Sequence, residues 1–328
     1  MFNTMQETQT SEEKTTSFIR KVMSNRITGI VIVLIIMVVA LSLANKNFLT
    51  MNNILSIVNQ ASMKGILAIG MTFVIVGAGI DLSVGASMAV CAMFLADIML
   101  KLGFDHLWLA ILACFAAGTV CGLINGLLAA YVKLPAFLLT MGTMSIFRGF
   151  DYVYTNCVTL RGFDSRWIDF WNSGIPWPAI FMIILMIIAY LILKFTKFGR
   201  YIFAVGGNET ASKLSGINTK KIKLMSYLIM GWCCALCAIV YVGRMSASEA
   251  SGGDGFELIA IAAACIGGAS MSGGRGSIIG AVIGSLILSV LSNGLTLLRV
   301  SSYYQTIFTG VIIVLAILVD RLTNKEPS

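Results

Sequence analysis

Charge is scarce in this chain. Only 12% of its 328 residues are Asp, Glu, Lys or Arg, against 58% hydrophobic ones, whereas soluble globular domains carry about a quarter charged residues. That shortage argues against a soluble domain. Histidine is nearly missing. His106 is the single one, and no Ser–His–acid or Cys–His set can be assembled around it. The phosphate-loop pattern G-x-x-x-x-G-K-[ST] is absent, so the chain has no Walker A site of its own. An enzyme is poorly supported. Prolines number four, and no Pro-, Ser- or charge-rich linker divides the chain, which reads as one domain. Of the eight cysteines, all but Cys157 lie in apolar runs, where Cys acts as a small hydrophobe. Cys233-Cys234-x-x-Cys237 has no His or acidic neighbour in sequence, so packing is favoured over a metal or redox site. No disulfide framework follows.

What is present is apolar length. A bilayer span takes about 17–25 predominantly apolar residues. Ten candidates read as spans: 27–44, 54–78, 84–100, 107–131, 135–153, 179–193, 224–243, 257–270, 277–297 and 303–319. The expected fold is an all-α membrane protein of about ten transmembrane helices. It has a cytoplasmic tail at 1–26, a single transmembrane domain at 27–320 and a C-terminal tail at 321–328. Ser42-Leu43-Ala44 faintly resembles a cleavage site, yet the many later spans favour an uncleaved first helix. Basic residues orient the chain. With both termini in the cytoplasm, most of the 23 Lys and Arg residues fall inside, leaving Lys46, Lys101, Arg161, Arg166, Arg244 and Arg299 outside. Trp108, Trp167, Trp171 and Trp177 fall near the outer interface. The net charge of +8 therefore reports topology against membrane lipid, and no nucleic-acid partner is expected.

Glycine and polar residues inside this frame carry the remaining information. Gly118, Gly122 and Gly126 form a tandem GxxxG in the fourth span. Gly276, Gly280 and Gly284 do so in the ninth. Such ridges let helix backbones approach closely in lipid. Spans four and nine are five apart, as are Ile146-Phe147-Arg148-Gly149 and Ile307-Phe308-Thr309-Gly310. This hints at a 5+5 inverted repeat. The stretch GAGIDLSVG (77–85) interrupts an apolar run, and irregular backbone at membrane depth is tolerated only against protein or a water-filled cavity. Asp81 and Ser83 lie there. Asp81 either marks a pathway or caps the next helix across a tight cytoplasmic turn. Asn125, Thr140, Thr143, Arg148, Asn293 and Gln305 are further candidates to line a route for a hydroxylated solute, each equally readable as an interhelical hydrogen bond. The insert IGGASMSGGRGS (266–277) reads as a tight cytoplasmic connection anchored by Arg275.

Between spans six and seven lies a polar, strongly basic loop, 194–223. Within it, Asn208 is a good N-cap, Glu209 suits a helix start and Lys213 its last turn. Ala211, Leu214 and Ser215 complete a two-turn helix, and Gly216 sits where a left-handed glycine would stop it. So short a helix is marginal alone and needs a partner. The run FGRYIFAVGGNETASKLSGIN resembles the cytoplasmic coupling segment of permease subunits of ribose-type monosaccharide ABC importers. GIDLSVGASMA, NGLLAAYVKLPAFLLTMGTMSIFRG and GFELIAIAAACIGGASMSGGRGSIIGAVIGSLILSVLSNGL resemble the same family in the same order, over roughly 50–320. One departure is Ile259, where many relatives carry an acidic residue.

The resemblance implies a multi-pass permease of the bacterial cytoplasmic (inner) membrane, without ATPase chemistry or a cofactor of its own. It implies pairing with a second permease copy as a homodimer, an ABC ATPase subunit that binds ATP and Mg, and a periplasmic sugar-binding protein. The helix from Asn208 to Gly216 would dock in the ATPase. Two rivals stand beside this: a permease for another small solute, such as a furanosyl signal molecule or a nucleoside, and an ion-coupled secondary transporter using Asp81.

Overall fold

The computed structural model describes residues 26–323 apart from Lys133. Most of the expected tail at 1–26, and 324–328 of the expected C-terminal tail, lie outside the described residues. The described chain is almost wholly helical: α1 Arg26–Ala44, α2 Met51–Val76, α3 Val84–Leu102, α4 Leu107–Tyr131, α5 Ala136–Thr155, α6 Ser165–Trp171, α7 Trp177–Phe195, α8 Lys197–Gly207, α9 Glu209–Leu214, α10 Thr219–Met245, α11 Phe256–Ile266, α12 Ile278–Leu297 and α13 Ser302–Thr323. Two-residue strands, β1 Leu160–Arg161 and β2 Ala247–Ser248, pair antiparallel.

Seven of these segments are long and apolar enough to cross a membrane: Ile27–Ala44, Met51–Val76, Val84–Leu102, Phe104–Tyr131, Trp177–Phe195, Thr219–Met245 and Ile278–Leu297. The other three expected spans correspond to α5, α11 and α13. The α5 helix carries Arg148 and Asp151 among its apolar residues, and α11 has only 11 residues.

Burial runs opposite to apolarity. The most apolar span, Ile27–Ala44, has none of its window buried, while the less apolar α2, α3, α10 and α12 form the interior. Lipid explains this order: hydrocarbon is as apolar as leucine, so helices associate through close packing and polar contacts. The α10 helix sits at the centre, packed on α2, α3 and α4, while α12 packs on α2 and α11. Cys91, Cys114, Cys121, Cys233, Cys234, Cys237 and Cys265 are buried outside any disulfide, and Cys157 is exposed.

Glycines set the tightest of these contacts. A Cβ on Gly122 would lie 2.7 Å from the Tyr227 carbonyl oxygen, and Gly118 and Gly231 put backbone against backbone. The α4 and α10 helices thus meet without intervening side chains. On α12, Gly280 and Gly284 press on Gly267 and Ala263 at the end of α11. The GxxxG expected to include Gly276 is corrected here. Ser277 is the α12 N-cap, accepting from the Gly280 N–H at 3.1 Å, so Gly276 lies before the helix, against Val76 and Thr72 of α2.

Two chain breaks position the interior. After α2, residues 77–83 run without helix alongside α10. The Tyr227 hydroxyl donates to the Ile80 carbonyl at 3.0 Å, and the Cys234 thiol to that of Val84 at 3.6 Å. Cys234 is fifteen residues into α10, about 22 Å along it at 1.5 Å per residue, so α3 begins deep within the bundle. After α10, the segment 246–255 leads into α11. Its Gly253 carbonyl abuts Gly85, and the Glu257 carboxylate would lie 2.7 Å from a Cβ there. The α3 and α11 helices therefore start at adjoining points. The α11 helix then leads back to the α2 C-terminus, where the Gly274 N–H donates to the Val76 carbonyl at 2.9 Å.

The expected loop 194–223 is more helical than its composition suggested. Thr196 caps α8 through the Gly199 N–H at 3.1 Å. Gly206 and Gly207 are the last residues of α8. Gly206 is there because the Val76 carbonyl and the Gly274 nitrogen leave no room for a Cβ.

Candidate functional site

Five of the eight residues singled out as lining a route meet in one buried cluster. Asp81 precedes α3, and its Oδ1 accepts from the Ser83 N–H at 2.9 Å and the Ser83 hydroxyl at 2.7 Å. The first bond is an Asx-type turn closing on Ser83, the N-cap residue of α3. Asn125 of α4 donates to Ser83 Oγ at 2.7 Å and approaches Asp81 Oδ2 at 3.3 Å. Thr143 of α5 donates to Asn125 Oδ1 at 2.6 Å, and Thr140 Oγ1 accepts from the Leu82 N–H at 3.1 Å. All five side chains are buried. Ser87, 3.2 Å from the Ser83 hydroxyl, and Tyr227 extend the group.

Ser83 and Asn125, which donate to Asp81, are both neutral. Carboxylates are costly at membrane depth and face the bundle interior. Capping and pathway were alternatives in sequence; the structure gives the N-cap position of α3 to Ser83 and turns the Asp81 carboxylate to Ser83 and to Asn125 of α4. The cluster brings hydroxyls, one amide and a carboxylate together where α4 and α5 meet the start of α3. Among the described residues no group of three or more His, Cys, Asp or Glu is placed to hold a metal ion.

The other three route candidates stand apart. Arg148 grips the 246–255 segment: its guanidinium donates to the Gly252 carbonyl at 3.0 Å and to that of Ala250, and it pairs with Asp254 Oδ1 at 2.5 Å. Asn293 exchanges two amide hydrogen bonds with Asn53 of α2, at 2.8 and 3.0 Å. Gln305 donates to the Val300 carbonyl at 3.0 Å, closing the turn into α13.

Sequence reading passed over Tyr227, Ser87 and Glu257. Ser87 was signalled by its spacing, one turn after Ser83. The Tyr227 hydroxyl, inside an apolar run, carried no local mark of its carbonyl partner. Asp151, one turn after Arg148, was also missed. It is buried, and neither of its carboxylate oxygens has a hydrogen-bond partner.

A second constellation lies on α9. Asn208 caps it, accepting from the Ala211 N–H at 2.9 Å. Its end is closed by Gly216, at φ +81°, with Gly216 N–H to Lys213 O and Ile217 N–H to Ser212 O, both 3.0 Å. That pair of bonds is a Schellman closure. Ser215 is the C-cap, and Leu214 is 86% exposed. Glu209 accepts from Lys223 at 2.6 Å and from Thr219 at 3.1 Å, and pairs with Lys213 at 3.1 Å. Partial burial alone would raise its pKa. The hydrogen bonds from Lys223 and Lys213, the Lys223 charge and Thr219 outweigh that and hold the carboxyl down at about 2.

A helical bundle with buried polar breaks and an exposed capped helix is shared by several transport proteins, so relatives decide the family. The profile of a family described as branched-chain amino acid transport system / permease component matches residues 53–317. This chain belongs to that permease family. The permease is 41% identical over 298 residues to the ribose import permease protein RbsC of Escherichia coli K12, covering 88% of this chain and 92% of the relative. It is 42% identical over 293 residues to the ribose import permease of Bacillus subtilis 168, covering 88% and 90%. The D-allose transport system permease protein AlsC of Escherichia coli K12 is 39% identical over 297 residues, covering 90% and 91%. No solved structure matches the permease.

Proposed function

We propose that this permease is the transmembrane subunit of a bacterial ABC importer for a monosaccharide, working in the inner membrane by alternating access. The observation that carries the reading is its similarity, along nearly the whole chain, to permeases named for ribose and allose import. The Asp81–Ser83–Asn125–Thr140–Thr143 cluster supports it chemically. The family description names branched-chain amino acids, but a zwitterion calls for anchors of both signs. This cluster supplies hydroxyls, one amide and a carboxylate already engaged by neutral donors, and sugar hydroxyls both donate and accept. The arrangement favours a sugar.

The finer architecture belongs to the same proposal. The ten-span, 5+5 reading pairs α2–α3 with α10–α11, and it is supported by three features. A break precedes α3 and another precedes α11, and the two meet at Gly85 and Gly253. The packing of α4 on α10 is matched by that of α12 on α2. Inverting the repeat likewise turns the α3–α10 contact into that between α11 and α2. Both termini would be cytoplasmic. The capped α9, from Asn208 to Gly216 with Leu214 projecting, would be the coupling helix seated in an ATPase that supplies ATP and Mg. A second permease copy and a periplasmic binding protein would complete the machine.

The test is reconstitution in proteoliposomes with the ATPase and binding protein, offering ribose, allose and leucine. ATP-dependent uptake of a sugar and not of leucine is expected. Uptake of leucine alone, or uptake without the ATPase, would sink the reading.

A further inference from the structure

Glu209 holds more of the fold than its own helix. Its carboxylate receives Lys213 from within α9, but also Lys223 at 2.6 Å and Thr219 at 3.1 Å from the first turns of α10. The Lys213 pair is exposed on both sides and adds little, as surface pairs do. The Lys223 side chain is only 24% exposed, so this bond is the better shielded of the two. The α9 helix is otherwise joined to α10 by a short connection of Ser215 to Asn218.

From Lys223, one turn of α10 leads to Tyr227, whose hydroxyl holds the Ile80 carbonyl in the segment before Asp81. Further along, Gly231 meets Gly118, and the Tyr227 carbonyl meets Gly122. At these glycines backbone lies against backbone, so a movement of α10 meets no side chain there that could yield before α4 does. The α4 helix carries Asn125, the amide that bridges Ser83 and Thr143. A displacement of α9 is thus delivered to both sides of the polar cluster, through Tyr227 and through Asn125.

We propose that Glu209 is a positioning residue: with Lys223 and Thr219 it forms a strut that makes α10, backed by α4, the element transmitting α9 movement to the Asp81 cluster. This rests on the reading of α9 as the ATPase-coupling helix. The strut predicts that ribose imported per ATP hydrolysed, measured in proteoliposomes of the full complex, falls about fivefold or more in Glu209→Gln, the scale of an ordinary coupling free energy. Lys223→Met and Tyr227→Phe should lower the ratio in the same direction. The charge swap Glu209→Lys with Lys223→Glu should restore most of it.

Hydrogen exchange on the permease alone, in detergent, gives a readout independent of solute. Glu209→Gln should raise exchange both in α9 and at residues 80–84, which a purely local role would leave unmoved. An unchanged ratio in Glu209→Gln or Tyr227→Phe, a charge swap that does not recover, or exchange confined to α9 would overturn the strut. A wild-type complex that imports neither ribose nor allose would instead sink the sugar reading, and the exchange pattern would still decide the strut.

Discussion

Asn125 shows how much one side chain can hold in a bundle poor in polar groups. Its amide donates to Ser83 and accepts from Thr143, so three helices meet on it. Asn125→Ala would remove a donor to Ser83, a donor to Asp81 and the acceptor for Thr143, and losing buried hydrogen bonds of this kind costs about 1–3 kcal/mol. Thr143→Val removes only one donor and should cost less. Thermal unfolding in detergent should therefore rank wild type above Thr143→Val and that above Asn125→Ala. Glu209 makes a different prediction at this scale. Its folded pKa of about 2 lies below its ordinary 4.5, so the stability it contributes is complete above pH 4.5 and is lost as pH falls towards 2. The difference in Tm between wild type and Glu209→Gln should be constant from pH 7 to 5 and shrink below that. Asn125, Thr140 and Thr143 were legible as intramembrane polar residues, yet Arg148, Asn293 and Gln305 looked the same. Only contacts across the fold separate a member of the cluster from a bond elsewhere.

Elements differ in how locally they are determined. The α9 helix was legible almost to the residue because its start and stop are chemical: an Asn208 cap and a glycine at positive φ lie within nine residues. Asn208→Ala should cost about 1 kcal/mol of local stability, read as faster hydrogen exchange in 209–214. The α8 helix was not legible as a helix, because its glycines look like a turn until Val76 and residue 274 are placed against them. The α4–α10 contact is a property of two elements together. Gly231→Val would drive a branched side chain into the Gly118 backbone. Overpacking of this kind costs about 1–3 kcal/mol, so a lower Tm is expected, with a larger drop than for Gly149→Ala, whose position has open space around it.

For the whole molecule, topology is the quantity to measure. With seven of eight cysteines buried, Cys157 serves as a reporter. An impermeant maleimide should label it from outside intact cells, while a cysteine placed at Ser215 should react only in inverted vesicles. The reverse pattern would overturn the proposed orientation. Leu214→Pro should abolish ATP-driven uptake with insertion intact, checked by membrane fractionation beside the transport assay.

The sequence by itself determined that this is a membrane bundle, roughly where its spans lie, and which segments depart from apolarity. The reason is that bilayer thickness and lipid solvation act on composition and length within each segment. Four ordered motifs were enough to mark the permease family. Tertiary structure alone decided that α3 and α11 begin back to back inside the bundle. It also decided that Asp81 meets Asn125 of α4, and that Tyr227 of α10 reaches the Ile80 carbonyl beside it. Those facts depend on contacts between residues 40 to 170 positions apart, and hydropathy read along a chain carries no information about which polar groups will meet.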